Sequence, residues 1–276
     1  MIPRLVTVAG LPRSGSTLLC QLLAEHPLID CEGHSSPLIN TLLTIRRSVS
    51  QDEFLLAQLD TQFDVTYQHL KDAKVGFLRG WYAHCDKPVV VDKNRAWLHS
   101  IEYALELAPE VKMLICIREL GQIYGSVESA HQKTAMLDFG DRLADYDRFG
   151  RADQLFAKDK VIGGPLISIN AVTDLPQAVK DRLYFVKYED LLAKPEQVMK
   201  AVYKWIGVAP HEINPKKLAV RQGESDSYYR FKYRHLQHES ISPLHTHVIP
   251  ERIQAHIETA FPWFYEMFYP RTKSSK

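Results

Sequence analysis

Residues 10–17 read Gly-Leu-Pro-Arg-Ser-Gly-Ser-Thr, and this stretch decides the fold. An apolar, β-like run at residues 5–9 precedes it, and a helical run at residues 18–25 follows it. A strand, a glycine loop and a helix in this order form a phosphate cradle, because backbone N–H groups point inward and the helix N-terminus adds positive charge. The alternative is a glycine-rich turn with no ligand. The order of the three elements favours the phosphate-binding loop.

The loop departs from the usual nucleoside triphosphatase pattern at one position. Gly10, Gly15 and Thr17 have the spacing of G-x-x-x-x-G-K-[ST], but Ser16 replaces the lysine and Arg13 supplies a cation three residues earlier. Without that lysine, the loop lacks the point charge that acts on the β- and γ-phosphates of a triphosphate. The sequence therefore predicts a phosphate site but not an ATPase. The candidate phosphate ligands in the loop are Arg13, Ser14, Gly15, Ser16 and Thr17.

Composition excludes several broad classes of protein. The 276 residues are 45% hydrophobic and 24% charged, which is ordinary for a soluble globular chain. A formal net charge of +1 gives no support for a nucleic-acid or membrane partner. We expect a cytoplasmic protein, because no apolar run of about 18 residues and no signal peptide is apparent. The four cysteines lack C-x-x-C spacing, which favours reduced thiols.

Strand-like and helical runs alternate along the chain. Strands are predicted at residues 5–9, 89–91, 111–117 and 183–186, and helices at 17–25, 37–47, 52–70, 97–107, 120–133 and 196–206. This alternation predicts an α/β fold with a doubly wound, mostly parallel sheet and helices on both faces. We expect one domain over residues 1–276. Residues 1–207 form its nucleotide-binding core, and residues 208–276 form a polar C-terminal wrap that ends in one helix from Pro250 to about Phe268.

A second phosphate group has candidate ligands near the next strand end. Ligands of parallel sheets bind beyond the carboxyl ends of the strands. Arg118 ends the most apolar strand, and Ser126 follows eight residues later on the next helix. A cation and a hydroxyl in this arrangement can bind a phosphate separate from the one at the glycine loop. The alternative is a structural ion pair of Arg118 with Glu119 or Asp92.

Three blocks together resemble the sulfotransferases that use 3′-phosphoadenosine 5′-phosphosulfate (PAPS). Residues 10–18 resemble the loop for the 5′-phosphosulfate, and residues 117–126 resemble the block for the 3′-phosphate. The third block resembles the family's "YEDL…P…FLG" stretch, in which the tyrosine, here Tyr188, lies by the adenine. The resemblance covers residues 1–207 and implies PAPS as the sulfuryl donor, a hydroxyl acceptor and no required metal.

The resemblance also implies catalytic residues. Counting from Arg13, His34 in Cys31-Glu32-Gly33-His34 takes the place of the glutamate base of the tyrosylprotein sulfotransferases. Lys93 in Asp92-Lys93-Asn94 matches their catalytic lysine. Transfer to an alcohol needs a base for the hydroxyl proton and cations where charge builds on the leaving phosphate. We therefore predict His34 as the base, with Arg13 and Lys93 as the cations. The alternative for His34 is that it caps the helix that starts near Pro37.

The C-terminal part departs from the family pattern. The Arg-Lys-Gly run of the cytosolic enzymes is absent after residue 207, and residues 228–234 are the basic aromatic run there. We expect Arg230 and Lys232 to contact the nucleotide, with a solvated surface strand as the alternative. Two histidine pairs, at 235 and 238 and at 245 and 247, suggest zinc, but no cysteine or acidic cluster accompanies them and we expect no metal.

Two other functions fit the motifs. One is a P-loop kinase of a small molecule, and the other is a nucleotide-binding module without catalysis. The acceptor class stays open among small alcohols, phenols, sugars and peptide tyrosines, as does the oligomeric state. We expect a bacterial or viral source, because no membrane anchor is apparent in the sequence.

Overall fold

A computed structural model describes residues 3–220, 232–233 and 236–270. Its sheet has five strands: β1 (Arg4–Gly10), β2 (Ile29–Ser35), β3 (Val89–Lys93), β4 (Lys112–Ile117) and β5 (Leu183–Lys187). Their order is β2-β3-β1-β4-β5, and every neighbouring pair is parallel. The chain therefore starts at the centre of the sheet and winds outward to both edges, which confirms the predicted doubly wound α/β fold.

Helices connect the strands and cover the sheet. They are α1 (Ser16–Ala24), α2 (Leu38–Val49), α3 (Glu53–Thr61), α4 (Phe63–Trp81), α5 (Ile101–Leu107), α6 (Leu120–Lys133), α7 (Arg148–Phe156), α8 (Gly163–Ala171), α9 (Gln177–Lys180), α10 (Tyr188–Ala193), α11 (Pro195–Ile206), α12 (Glu251–Ala260) and α13 (Pro262–Phe268). Short 3₁₀ turns occupy Arg95–Ser100, Leu143–Asp145 and Val172–Asp174. Among the described residues, no helix is both long and apolar enough to cross a membrane.

Two hydrophobic cores lie on opposite faces of the sheet. Successive side chains of a strand point to opposite faces. In β1, Leu5 and Ala9 belong to one core with residues of α2, α6, α8, α12 and α13, whereas Val6 and Val8 belong to the other with residues of α1 and α11. Because both faces are covered, most positions of the inner strands are buried and apolar, as predicted, although β3 ends in the buried polar residues Asp92 and Lys93. Each fully buried side chain of this size contributes about 1.5–3 kcal/mol.

Several elements differ from the sequence-based expectation. Strand β2 was not predicted, because its residues are partly polar and it pairs only at the sheet edge, where Gly33 with φ of 87° interrupts the register with β3. The predicted helix at 52–70 is two helices, α3 and α4, that meet at Gln62. The prediction of a single last helix was also wrong, because the chain forms α12 and α13 with a break at Phe261. Pro262 starts α13, and a proline inside a helix could not donate the backbone hydrogen bond.

A buried ion pair joins α6 to α7. Arg151 donates from Nε and Nη2 to the two carboxylate oxygens of Glu128, at 2.8 and 2.6 Å. The Glu128 side chain is only 3% exposed. Burial alone would raise the pKa of the Glu128 carboxyl, but the hydrogen bonds and charge of Arg151 outweigh it, and the pKa lies below its ordinary value. The ionised pair therefore stabilises the fold.

Glu128→Gln should lower the free energy of unfolding at pH 7 by about 3 kcal/mol, because it leaves the Arg151 cation without its counter-charge. The folded-state pKa is depressed, so this stabilisation is present above the ordinary value of 4.5 and is lost as pH falls through the lower folded value. Urea unfolding from pH 7 to pH 3 measures this stabilisation. The difference in free energy of unfolding between wild type and Glu128→Gln should become smaller toward pH 3. Asp145→Asn, in an exposed pair with Arg142, should cost less than about 1 kcal/mol. Equal losses in both variants contradict the prediction.

Candidate functional site

The loop between β1 and α1 has a constrained backbone. Gly10 and Gly15 have φ of 122° and 86°, and Arg13, which is not glycine, has φ of 56°. Leu11 N–H donates to the Cys116 carbonyl at 2.9 Å, which attaches the loop to β4. A non-glycine residue in the left-handed region costs about 1–3 kcal/mol and persists only where its surroundings hold it. Arg13 is therefore placed by its contacts rather than by its own preference.

Arg13 is held from two directions by the residues predicted for the second phosphate. Nη1 of Arg118 donates to the Arg13 carbonyl at 3.1 Å. On the other side, Arg13 Nε donates to Ser126 Oγ at 3.2 Å. The structure thus brings Arg13, Arg118 and Ser126 together, although 105 residues separate the two arginines. The two predicted phosphate blocks form one continuous surface.

Arg118 is a buried cation beside the loop. It is 6% exposed, and its guanidinium carbon lies 4.6 Å from the centre of the Tyr188 ring. Burial lowers the pKa of Arg118, and nearby tyrosine and glutamate groups only partly oppose this effect. Its Nη2 donates to the His245 carbonyl at 3.5 Å, whereas its buried Nε has no hydrogen-bond partner in the described part of the chain. The alternative ion pair of Arg118 with Glu119 or Asp92 does not occur among the described residues.

Tyr188 completes the wall behind the loop. Its ring lies so close to Gly15 that a Cβ at that position would be 2.5 Å from Tyr188 Cδ2. The glycine therefore serves two needs, the left-handed φ and the close approach of the ring. Tyr188 begins α10 directly after β5, so its ring reaches the carboxyl edge of the sheet at the place where parallel strands bind ligands.

Lys93 reaches the loop from the end of β3. It is 6% exposed, and its Nζ donates to Thr17 Oγ1 at 3.1 Å and to the Gly33 carbonyl at 3.4 Å. The preceding Asp92 accepts hydrogen bonds from Trp97 Nε1 at 2.6 Å and from the Tyr82 hydroxyl at 2.5 Å. Burial raises the pKa of the Asp92 carboxyl. Asp92 thus anchors the strand end, and Lys93 carries the charge into the site.

Asn94 fixes the segment that follows Lys93. Its side-chain oxygen accepts from Ala96 N–H at 2.9 Å, and its Nδ2 donates to the Ser36 carbonyl at 2.7 Å. The second bond joins the end of β3 to the residues after β2. Both sides of Lys93 are therefore held in place, which restricts where its ammonium group can lie.

Two cavities meet at Arg13 and Ser16. The first, of about 440 Å³, is lined by the loop, Arg118 and Tyr188. The second, also of about 440 Å³, is lined by residues 10–13 of the loop, by Lys93 and by a mainly apolar wall that also carries charged side chains, namely Arg95, Asp141, Asp159 and Lys160. That wall includes Leu11, Val127, Leu143, Leu155 and Val161. The loop cation and the first hydroxyl of α1 therefore stand between two separate spaces, one against the phosphate loop and one against the apolar wall.

Residues 236–250, which belong to the predicted C-terminal wrap, form an irregular strap beside the loop. Gln21 Nε2 donates to the carbonyls of Ala219 and His238, at 2.9 and 2.8 Å. Gln122 holds His247 by both backbone groups, accepting from N–H at 2.7 Å and donating to the carbonyl at 3.0 Å. The strap residues that line the first cavity are Leu236, His238, Ser240, Ile241, Ser242, Pro243 and His245. The polar composition of the wrap predicted a surface segment, but none of these seven residues was predicted as a nucleotide ligand.

His34 lies outside both large cavities. It is on β2 with a side chain 54% exposed, and its Nε2 is 2.9 Å from a carboxylate oxygen of Glu32. It lines a small space of about 60 Å³ to which Lys93 also contributes. The helix-capping alternative was wrong, because Ser36 Oγ accepts from Leu38 N–H at the start of α2. Its role as the base stays a prediction.

The two basic residues predicted in the C-terminal run have different outcomes. Arg230 lies outside the described residues. Lys232 is buried, with Nζ 2.7 Å from Asp141 Oδ2, and the Tyr233 hydroxyl donates to the same oxygen at 2.7 Å. Its side chain is 1% exposed, so the alternative of a solvated position is wrong. Lys232 is not among the residues that line the first cavity, whereas Asp141 and Tyr233 line the second.

His245 and His247 do not form a metal site with other described residues, and His235 of the first pair lies outside the described residues. His245 and His247 have ring centres 4.9 Å apart. Within residues 3–220, 232–233 and 236–270, no group of three or more histidine, cysteine or acidic residues is placed to hold a metal ion. Burial, followed by Arg118, lowers the pKa of His247, which favours its neutral form.

Comparison with known proteins identifies the class to which this site belongs. The sulfotransferase family model matches residues 3–212, and the chain belongs to that family. A protein-tyrosine sulfotransferase 2 from Gallus gallus is 28% identical over 210 residues, which cover 74% of this chain and 51% of the relative. A protein-tyrosine sulfotransferase from Drosophila melanogaster is 24% identical over 207 residues, covering 74% and 38%. The chain thus spans about half or less of the length of these relatives.

The structural comparison supports the same fold. The sulfotransferase domain of the Synechococcus PCC 7002 olefin synthase superposes with a TM-score of 0.51 at 18% identity, covering 94% of each chain. The predicted sulfotransferase resemblance and fold are confirmed. The two curated relatives are animal proteins, and they give no support to the expected bacterial or viral source.

Gly10→Ala should destabilise the protein strongly, because the new Cβ would lie 2.2 Å from the Cys116 carbonyl oxygen and φ is positive. The backbone conformation alone costs about 1–3 kcal/mol, and the clash adds to it. Gly76→Ala is the matched control: it lies in α4 with nothing within 4 Å of the new Cβ, so it should stabilise the protein by about 0.5–1 kcal/mol. The urea midpoints of the two variants measure these changes in stability. A Gly10→Ala midpoint equal to that of wild type would contradict the conclusion that the loop requires glycine at this position.

Proposed function

We propose that this protein is a PAPS-dependent sulfotransferase that moves a sulfuryl group to a hydroxyl acceptor and releases 3′-phosphoadenosine 5′-phosphate. The observation that carries the proposal is the meeting of two cavities at Arg13 and Ser16. Group transfer needs a donor and an acceptor on opposite sides of the transferred group. The loop lines both cavities, but Arg118 and Tyr188 complete the first, whereas mainly apolar side chains and Lys93 complete the second, so each has the chemistry for one partner.

The residues of the first cavity fit the donor. Arg118 is a buried cation whose Nε lacks a partner among the described residues, and an anionic phosphate oxygen would satisfy it. Ser126 is not among the lining residues, but it accepts from Arg13, which does line the cavity, and its hydroxyl hydrogen would be donated to the bound 3′-phosphate. The Tyr188 ring supplies a flat apolar surface for adenine, and strap residues Ser242 and His245 add polar groups. The loop from Ser14 to Thr17 would hold the 5′-phosphosulfate.

In this proposal the chain's cations offset charge as it develops. The donor supplies the sulfuryl group: its sulfur forms a bond to the acceptor oxygen as the bond to the phosphate oxygen breaks. Arg13 at the junction, and Lys93 beside Thr17, are placed to stabilise negative charge on the transferred and leaving oxygens. Both side chains are held before any ligand binds, so little reorganisation is needed at the moment of transfer.

The acceptor proton is assigned to His34. Because Nε2 faces Glu32, the other ring nitrogen, Nδ1, would take the proton, and the carboxylate would stabilise the imidazolium that forms. The small space at His34 and the second cavity share Lys93 and lie next to each other. An acceptor hydroxyl would bind beside Lys93 to meet both groups.

The second cavity favours a phenolic acceptor. Its wall combines apolar side chains with Lys93, Arg95 and Asp141, which suits an aromatic ring carried by a polar molecule. The curated relatives that the chain resembles are named protein-tyrosine sulfotransferases, which favours a tyrosine side chain. A P-loop kinase is disfavoured, because Ser16 occupies the position of the loop lysine that such an enzyme uses. Turnover with PAPS and a tyrosine peptide, but not with Mg·ATP, would distinguish the proposed sulfotransferase from a kinase and from an inactive nucleotide-binding module.

Calorimetry with two nucleotides tests the donor site. Wild type should bind 3′-phosphoadenosine 5′-phosphate at least about 10-fold more tightly than adenosine 5′-phosphate, because charge-assisted hydrogen bonds to the 3′-phosphate contribute about 1.5–3 kcal/mol each. Arg118→Met should remove most of that difference, and Ser126→Ala should reduce it. Arg182→Met, at an exposed ion pair with Glu110, is the control and should change neither affinity. Equal affinity of wild type for the two nucleotides would contradict the assignment of Arg118 and Ser126 to the 3′-phosphate.

His34→Ala should lower turnover by roughly 10²–10⁴ while nucleotide affinity stays unchanged, since a base contacts the acceptor and not the phosphates. His34→Glu should retain part of the activity, and Glu32→Gln should cause a smaller loss. His84→Ala is the matched control, because His84 lines the same small space and should leave turnover intact. Sulfate transfer from labelled PAPS to a tyrosine peptide is the measurement. A His34→Ala enzyme with wild-type turnover would move the base to another residue.

A further inference from the structure

A third cavity, of about 540 Å³, lies on the flank of the molecule between α2, α4 and α5. It shares no lining residue with the two cavities of the candidate active site. The residues that decide its chemistry are Arg46, Phe63, Tyr67, Lys74 and Tyr103. None of them takes part in the function proposed above.

Two cations face one aromatic ring in this cavity. The Arg46 guanidinium carbon lies 5.1 Å from the centre of the Tyr103 ring, and Lys74 Nζ lies 5.4 Å from it. Lys74 is only 9% exposed, although it sits in the middle of α4. Lysine is almost never buried to this degree unless it is paired.

Neither cation has an anionic partner in the described part of the chain. The ion pair at the rim is between Lys71 and Glu106, at 2.8 Å, and Glu102 on the same rim pairs with neither Arg46 nor Lys74. Burial, followed by the like charge of Arg46, lowers the pKa of Lys74. Two like charges therefore face this cavity without an anion beside them, and an anionic ligand would offset the repulsion between them.

Two further rings extend the cavity toward solvent. Phe63 and Tyr67 stack with ring centres 5.4 Å apart and planes 13° from parallel. They are 59% and 43% exposed, which is high for side chains of this size. Flat rings of this kind bind other flat rings through offset stacking, and the cations beyond them bind negative charge.

We propose that this cavity is a second binding site, for an aryl anion: an aromatic ring that carries a single sulfate, phosphate or carboxylate group. The aromatic body lies against Phe63, Tyr67 and Tyr103, and the acidic group binds between Arg46 and Lys74. The assignment does not depend on the donor or the acceptor of the transfer reaction. It predicts that both parts of the ligand are needed, the ring and the charge.

Two fluorescent probes that differ by one charge test this site. The anionic probe is 8-anilinonaphthalene-1-sulfonate, and N-phenyl-1-naphthylamine has the same rings without the sulfonate. Both are titrated into the full-length protein with saturating 3′-phosphoadenosine 5′-phosphate present, so that the active-site nucleotide cavity is blocked. Lys74→Met and Arg46→Met remove one charge each, and Lys71→Met, at the paired rim lysine, is the matched control.

Wild type should bind the sulfonate probe at least about 10-fold more tightly than the neutral one, as expected for a charge-assisted contact worth about 1.5–3 kcal/mol. Lys74→Met and Arg46→Met should each weaken sulfonate binding by about 10-fold and leave neutral-probe binding unchanged. Lys71→Met should change the affinity for each of the two probes by less than about 2-fold. Competition by 4-nitrophenyl sulfate, 4-nitrophenyl phosphate and benzoate then identifies the acidic group, and inorganic sulfate should not compete at the same concentration.

Other results overturn the proposal. Equal affinity of the two probes, or sulfonate binding that survives both Met variants, means that the charges do not form a site. Arg46 is exposed, so its variant tests the site even if Lys74→Met fails to fold. Sedimentation of each protein at the titration concentrations gives the last control. If probe binding and the sedimenting mass change together, the rings and cations belong to a contact between two copies and not to a ligand site.

Discussion

The hydrogen bond from Arg118 to the carbonyl of Arg13 is the contact on which the site depends. Arg13 stands in a left-handed conformation that its side chain disfavours, and the bond at 3.1 Å fixes the carbonyl in that orientation. The same Arg118 lies against Tyr188 and reaches the strap at His245. One buried guanidinium thus joins the ends of β1, β4 and β5 to the C-terminal segment. Its remaining nitrogen, Nε, faces no partner among the described residues, so the scaffold and the donor site share one side chain.

Glutamine side chains extend this scaffold to the strap. Gln122 binds both backbone groups of His247, as a neighbouring strand would, and Gln21 binds two backbone carbonyls from the other side. A segment without helix or strand is therefore held by side chains, in addition to the backbone bonds that Glu239 and Ile241 make to Leu218 and Pro215. Because the strap lines the nucleotide cavity, Gln122 of α6 contributes to the site without lining it, whereas Gln21 of α1 both holds the strap and lines the cavity. The flank cavity at Lys74 has no such network, and the charges of Arg46 and Lys74 have no anionic partner within the described chain.

Much of the fold followed from local patterns. Apolar runs predicted β1, β3, β4 and β5, because strands buried on both faces have no polar side to interrupt the run. The edge strand β2 was not predicted, because it is partly polar and has no continuous apolar run. Only its pairing with β3 identifies it as a strand. The positions of Arg13, Lys93, Arg118 and Tyr188 were predicted as strand-end residues, and the structure gathers them at one edge. Burial of Lys232 against Asp141 was not predictable, because a lysine in a sequence does not reveal a partner 91 residues away.

The sequence by itself determined the phosphate loop and the winding of the sheet. Both depend on short-range terms, namely the left-handed φ at Gly10 and Gly15, the alternation of apolar strands with helices, and the helix that starts at Ser16. Only the tertiary structure decided which charges meet. It placed Arg13 between Arg118 and Ser126, turned His34 toward Glu32 and away from the two large cavities, and buried Lys74 beside Arg46. Those outcomes depend on long-range packing and desolvation, whose energies belong to pairs of distant residues and not to either residue alone.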